Sequence, residues 1–392
     1  MKRDVFRERG FFLRLGLLLL LTLLLLPMVC RPVYAEEDTS QLVEESLQQS
    51  GLQELYSLIP EEGRDFFREN FSGDGFSAGA LDGLTPEGIL SSLWQTARDK
   101  ASGPLRLLLS VTGVLLLSAL MTCFSDGLQQ GSLQKAFSAA SALTVTGLLA
   151  DSVVRIVTET AEAIESLSLF MVSFIPVFTG AAAAAGRPAS AMVYYGTVFS
   201  AVQLFSRIAE GLILPLTGIF LALGFTSSVT DVIRTDSLVK AVKSCAGWLL
   251  SLCLTVFIGL LTIKGLVAAP ADGVTVRAAK FVLSSFVPVV GSALSEAYSS
   301  LFGCMGVVRS TIGVFGILVM AAVFLPLVIR LGLYLAALNL AAVTADILSL
   351  TRPAAVLRSG SSALSVLMGL VICYGMMILV SVTVVLLLGT GG

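Results

Sequence analysis

Histidine is absent from all 392 residues, and with it goes the side chain most used as general base, proton shuttle and metal ligand near neutral pH. Charge is scarce too. Asp, Glu, Lys and Arg make up 13% of the chain, against roughly 25% in soluble domains. The net charge of −2 supplies no basic field for nucleic acid. No Walker A loop, no G-x-G-x-x-G at a strand-to-helix turn and no H-E-x-x-H occurs in the sequence, which leaves nucleotide, dinucleotide and zinc-protease chemistry without their usual motifs. A serine or cysteine nucleophile would have to rely on lysine, yet Lys264 and Lys280 are the only lysines beyond residue 243 and neither adjoins a serine motif. The expectation is a protein without enzyme activity, cofactor or bound metal. The cysteines, Cys30, Cys123, Cys245, Cys253, Cys304 and Cys373, form no C-x-x-C pair and read as small packing groups rather than ligands or a disulfide framework.

What the sequence does have is apolar length. Hydrophobic residues account for 55% of it and the mean hydropathy is +0.90, so the fold class is an all-α polytopic membrane protein. Residues 1–35 read as a signal peptide. Lys2, Arg3, Arg7 and Arg9 precede the run FFLRLGLLLLLTLLLLPMV, and Val33 and Ala35 give small residues for cleavage before Glu36. Val29 is a poor residue ahead of a lipidated cysteine, so Cys30 does not displace that reading; an uncleaved anchor is the other possibility.

Residues 36–104 form an acidic extracytoplasmic segment, partly helical, with 14 acidic residues against Arg64, Arg68, Arg98 and Lys100. Leu42, Leu47, Leu52, Leu55 and Ile59 recur at loose helical spacing. Two readings stay open for it: a solvated stretch, or a docking surface for a partner outside the membrane. The polytopic domain then occupies 105–392. Segments of ~20 apolar residues, the length of one crossing, fall at 105–124, 136–157, 167–186, 189–206, 211–229, 244–269, 310–329, 331–350 and 363–389. A weaker tenth, 281–302, is interrupted by Glu296. Basic residues favour the cytoplasmic side. That rule puts 230–243 (Arg234, Lys240, Lys243) and 351–362 (Arg352, Arg358) inside, and the acidic loop 158–166, TETAEAIES, outside.

Three short echoes point to an internal repeat. Ser173-Phe174-Ile175-Pro176-Val177 matches Ser285-Phe286-Val287-Pro288-Val289, Leu214-Pro215-Leu216 matches Leu325-Pro326-Leu327, and Val229-Thr230-Asp231 resembles Val343-Thr344-Ala345-Asp346. The order is the same and the offset nearly constant. With both basic loops on one side, the halves 167–269 and 281–389 would be parallel repeats, and 281–302 would be a kinked crossing, with a re-entrant hairpin the alternative.

Polar residues within the spans are the remaining candidates for chemistry. Asn339 and Asp346 lie two helical turns apart, Glu296 follows Pro288 and Gly291, and Lys264 sits near the end of its span. Ionisable groups at membrane depth face protein or water. They read either as a path for an ion or solute lined by Asp346, Asn339 and Glu296, or as groups near the interfaces. Candidate pathway or packing residues are therefore Pro176, Pro288, Gly291, Glu296, Pro215, Pro326, Asn339 and Asp346. Small residues (181–186, 335–342, Gly303, Gly306, Gly313, Gly316) mark surfaces for close helix packing.

The stretch KFVLSSFVPVVGSALSEAYSSLFGCMGVVRSTIG, Lys280 to Gly313, resembles the stage III sporulation protein AE family of endospore-forming bacteria, as does the order of signal peptide, acidic exterior segment and polytopic body. The resemblance implies a subunit of the secretion-like channel or feeding-tube complex in the mother-cell membrane around the forespore, needed for late forespore sigma-factor activity. Its implied partners are other stage III sporulation membrane subunits, ring-forming proteins and a cytoplasmic ATPase, with the lipid bilayer around it and no nucleic acid. Residues 36–104 would then face the intermembrane space. The alternative, from the residues alone, is a stand-alone secondary transporter or permease.

Overall fold

A computed structural model describes residues 46, 51–60, 63–64, 95–127, 131–229, 236–286 and 291–387. Among these residues the regular structure is helical. A short α1 (Leu52–Ser57) precedes α2 (Ser102–Gly127), α3 (Gly131–Ala184) and α4 (Pro188–Ile208). A π-helical turn (Ala209–Ile213) leads into α5 (Leu214–Val229), followed by α6 (Asp236–Phe286), α7 (Gly291–Ile347) and α8 (Thr351–Leu387). Six helical stretches are long and apolar enough to cross a membrane, at Gln95–Phe124, Ala136–Ala184, Pro188–Thr226, Ala241–Ala278, Ser300–Ile347 and Thr351–Val384.

The apolar segments expected from the sequence are thus carried on fewer, longer helices. The nine-residue stretch 158–166 is not an exterior loop but the middle of the 54-residue α3. Thr160, Ala163, Ile164, Leu167 and Met171 are buried at helical spacing, and that 3.6-residue period outweighs the local acidity. Threonine hydroxyls do not break the helix, because they bond carbonyls of the preceding turn. Thr146 Oγ1 donates to the Ala142 carbonyl at 2.8 Å and Thr160 Oγ1 to the Ile156 carbonyl at 2.7 Å. Segments 310–329 and 331–350 likewise merge within α7, with Pro326 in its interior.

Between α4 and α5 the joint is the π turn, where the Leu214 amide donates to the Ala209 carbonyl. Pro215 explains it. A proline has no N–H, and its ring would strike the carbonyl four residues back; one widened turn relieves the clash.

Packing contacts fix the order of the helices. Gly313 and Gly316 of α7 receive Phe178 and Phe174 of α3, Arg330 pairs with Glu159, and Gly360 of α8 lies against Leu338 and Leu149. α3 and α7 are therefore antiparallel partners along most of their length, and α7 and α8 form the central hairpin. Of the most apolar 18 residues of the α8 span, 83% are buried; for α2 the share is 22% and for α6 24%. The last two present their sides to lipid. The core is aromatic where glycine lets helices close in. Phe170, Phe174 and Phe178 stack along α3, Phe178 meets Tyr194 edge-on, and Phe205 lies flat on Tyr374 at 5.0 Å.

Two tight turns close the hairpins. Gly186 takes φ 79°, and the Arg187 amide reaches back to the Ala182 carbonyl at 3.2 Å, the Gly186 amide to Ala183 at 3.0 Å. Ser349 takes φ 58° in the equivalent position after α7, with Leu350 bonding Ala345 at 2.9 Å.

Chain direction also decides the segment 281–302. Near Gly186 lie both Val276 of α6 and Phe302 of α7, whereas Cys373 of α8 contacts the Leu250 carbonyl at the other end of α6. So α6 arrives at the Gly186 end, α7 leaves from it, and 281–302 contains the reversal between them rather than a crossing of its own. Residues 287–290, including Pro288, lie outside the described residues. Of the three echoed pairs, Pro215 is the second residue of α5, reached from the Gly186 end through α4 and the π turn, and Pro326 lies inside α7, which leaves from the same end; Val229 ends α5 and Val343 lies near the end of α7. Pro176 lies inside α3. The basic stretches after α5 and after α7 begin at the same end of the bundle, where Gly224 of α5 faces Ser359 of α8.

Candidate functional site

The candidate residues do not converge. Asn339 accepts a hydrogen bond from Ser361 Oγ at 2.9 Å, and Asp346 is ion-paired with Arg358. Both partners belong to α8, so the polar face shared by Asn339 and Asp346 fastens the α7–α8 hairpin near its turn. Glu296 is on the same helix but about 64 Å from Asn339 and about 75 Å from Asp346 at 1.5 Å per residue; its side chain lies outside the described residues. One path lined by Asp346, Asn339 and Glu296 is not what the fold assembles.

The prolines have separate settings. Pro176 is exposed on α3 and leaves the Val172 carbonyl without its helical donor. One turn on, Thr179 Oγ1 donates to the Ile175 carbonyl at 2.9 Å and to that of Pro176 at 3.0 Å. Pro215 follows the π turn, and Pro326 is half-buried in α7. Lys264 is exposed on the side of α6.

Sequence reasoning missed a different set. Half-way along the α3–α7 pair, Arg330 bonds Glu159, the two side chains being 23% and 30% exposed. Beside this level of the bundle, Ser206 Oγ donates to Glu210 at 2.6 Å within the π-turn region. The signal was there: Arg330 is a lone charge in LPLVIRLGLYL, but it fell on the boundary drawn between two segments. Glu159 was hidden by reading its neighbourhood as a loop.

At the Gly186 end, Asp272 of α6 is buried, 2% exposed. Its two oxygens accept the backbone N–H groups of Ala189 at 2.7 Å and Ser190 at 3.0 Å. A carboxylate from another helix thereby caps the first turn of α4, where Pro188 contributes no donor, and complements the positive end of the helix dipole. Among the described residues no three metal-ligating side chains converge.

Gly313 and Gly316 pack within the chain, whereas a Cβ on Gly303 or Gly306 would meet open space. A Cβ on Gly313 would lie 3.0 Å from Phe178 Cε2, and one on Gly316 would overlap the Phe174 ring.

An all-helical bundle with six helices fit to cross a bilayer defines a multi-pass membrane protein. The sequence model of the stage III sporulation protein AE family matches residues 73–389, and the chain belongs to that family. It is 21% identical over 270 residues to the stage III sporulation protein AE of Bacillus subtilis (strain 168). That match covers 69% of this chain and 66% of the relative, just under two thirds of the relative's length. No solved structure matches significantly.

Proposed function

We propose that the chain acts without catalysis, as a multi-pass membrane subunit of a channel complex joining mother cell and forespore, in the mother-cell membrane that surrounds the forespore. The observation that carries this reading is membership of the stage III sporulation protein AE family across the helical bundle. Placement of two described ion pairs, Glu159 with Arg330 and Asp346 with Arg358, between helices supports a structural use of charge. In this reading 36–104 faces the intermembrane space, and the partners are further stage III membrane subunits, ring-forming proteins and a cytoplasmic ATPase. The complex sustains late sigma-factor activity in the forespore. Removing the gene from a spore former is expected to arrest development after engulfment, with rescue by a plasmid copy. Normal spores without the gene would refute the proposal.

A further inference from the structure

Glu210 stands deep inside a long apolar stretch. Pro188 and Thr226 bound a helical span fit to cross a membrane, and Glu210 is about 33 Å from the first and about 24 Å from the second at 1.5 Å per residue. A carboxylate at such depth is costly and turns to protein, water or an ion. Ser206 Oγ donates to it at 2.6 Å, a distance typical of a hydroxyl bonded to an ionised carboxylate. Among the described residues no lysine or arginine is ion-paired with it, Arg207 on the preceding turn included. Glu159, by contrast, is already matched by Arg330.

Acceptors are in surplus around this carboxylate. The Leu214 amide is spent on Ala209, and Pro215 has no N–H, so the carbonyls of Glu210 and Gly211 lose the donors that a regular α-helix would give them. Tyr374 of α8 adds a phenol. Its ring lies flat on Phe205, the residue before Ser206, at 5.0 Å between centroids. Tyr374 is wholly buried and its Oη has no hydrogen-bond partner. Ser168 of α3 and Glu210 are the polar groups that act on it, and Ser168 and Ser206 are themselves buried. A buried polar oxygen without a partner calls for one. One negative charge accompanied by hydroxyl and carbonyl oxygens suits a hard monovalent cation, whereas a divalent ion would want more carboxylates. Interrupted helices in membranes use freed carbonyls in this way.

We propose that the π turn at Glu210 is a binding site for a small alkali-metal cation. The Glu210 carboxylate supplies the charge, and Ser206, the freed carbonyls and the Tyr374 phenol supply neutral oxygens. Glu210 keeps an exposed edge, which gives the ion a way in from the side of the bundle, while Ser206 and Tyr374 close the inner side. A bound ion joins the α4–α5 joint to α8 at mid-height. The site belongs to the chain itself and holds whether or not the chain serves a channel.

The test uses the purified full chain in detergent, freed of alkali ions and titrated with sodium or potassium chloride against choline chloride at constant ionic strength. In the parent, one of the alkali ions is expected to raise the thermal-aggregation midpoint by a few degrees, saturably, because an ion that binds the folded state stabilises it. Glu210→Gln should abolish the response, with a midpoint in choline at least equal to the parent's, since an unmatched charge at depth has been removed. Tyr374→Phe keeps the ring on Phe205, and Ser206→Ala removes only a hydroxyl; each is expected to move half-saturation to about tenfold higher ion concentration. Identical midpoints in choline and both alkali salts would overturn the proposal, as would a response that survives Glu210→Gln. Should Glu210→Gln fail to fold, unaltered half-saturation in both Tyr374→Phe and Ser206→Ala would overturn it just as well.

Discussion

Arg330 shows how a single charge organises a helix pair. It stands in an apolar run of α7 and meets Glu159, itself in the middle of α3. Both side chains are largely withdrawn from solvent, so removing one leaves the other's charge poorly compensated. Arg330→Met is expected to destabilise the detergent-solubilised protein by about 1–2 kcal/mol, discounted for partial exposure, read as a lower midpoint of thermal aggregation. An unchanged midpoint would show the pair to be idle. The double variant with Glu159→Met should recover much of the loss, because two apolar groups replace a matched pair. At this scale the sequence was informative about residue types and misleading about partners. Asn339 and Asp346 were visible as polar residues on one face, but their attachment to Ser361 and Arg358 depends on a hairpin that a list of spans does not specify. Asp272 was invisible for the same reason, since its ligands are backbone groups of a helix more than eighty residues earlier in the chain.

Among elements, the glycines of α7 set the distance of closest approach. Gly316 has no room for a side chain beside Phe174, and Gly313 little beside Phe178. Gly316→Ala would gain in helix propensity and still lose overall, because overpacking of a filled core costs about 1–3 kcal/mol. The expected result is a lower thermal midpoint and weakened α3–α7 association, measured as reduced disulfide crosslinking between cysteines introduced at positions 149 and 338. Crosslinking as efficient as in the parent would contradict a close glycine-mediated contact. Sequence pattern located this small-residue strip and left open whether it packed within or between chains; Phe174 and Phe178 settle it as internal for Gly313 and Gly316. Pattern failed where it treated acidity as a boundary. TETAEAIES is rich in good helix formers and places Thr160, Ala163 and Ile164 on one buried stripe, so continuity was legible in its period though not in its polarity.

For the whole molecule, helix length is the telling quantity. α3 and α7 have 54 and 57 residues, about 81 and 86 Å if straight, while a hydrocarbon core is about 30 Å thick. Each helix must therefore run well beyond one core, and the apolar sides of α2 and α6 bound only part of the bundle's height. The fold class was plain from composition alone. The number of crossings was not, because apolar runs count segments, and only packing tells which runs share a helix. The six helices fit to cross keep the basic stretches after α5 and α7 at one end, with the Gly186 turn at the other.

That arrangement is tested most directly by side-specific cysteine labelling in the otherwise cysteine-free chain, at positions 160, 185, 275 and 355. The six-crossing bundle predicts labelling of 185 and 275 from outside, of 355 from the cytoplasm, and no reaction at Thr160→Cys, buried in α3. Ready labelling of position 160 from outside would contradict it, restoring an exterior loop and dividing α3 into two separate crossings.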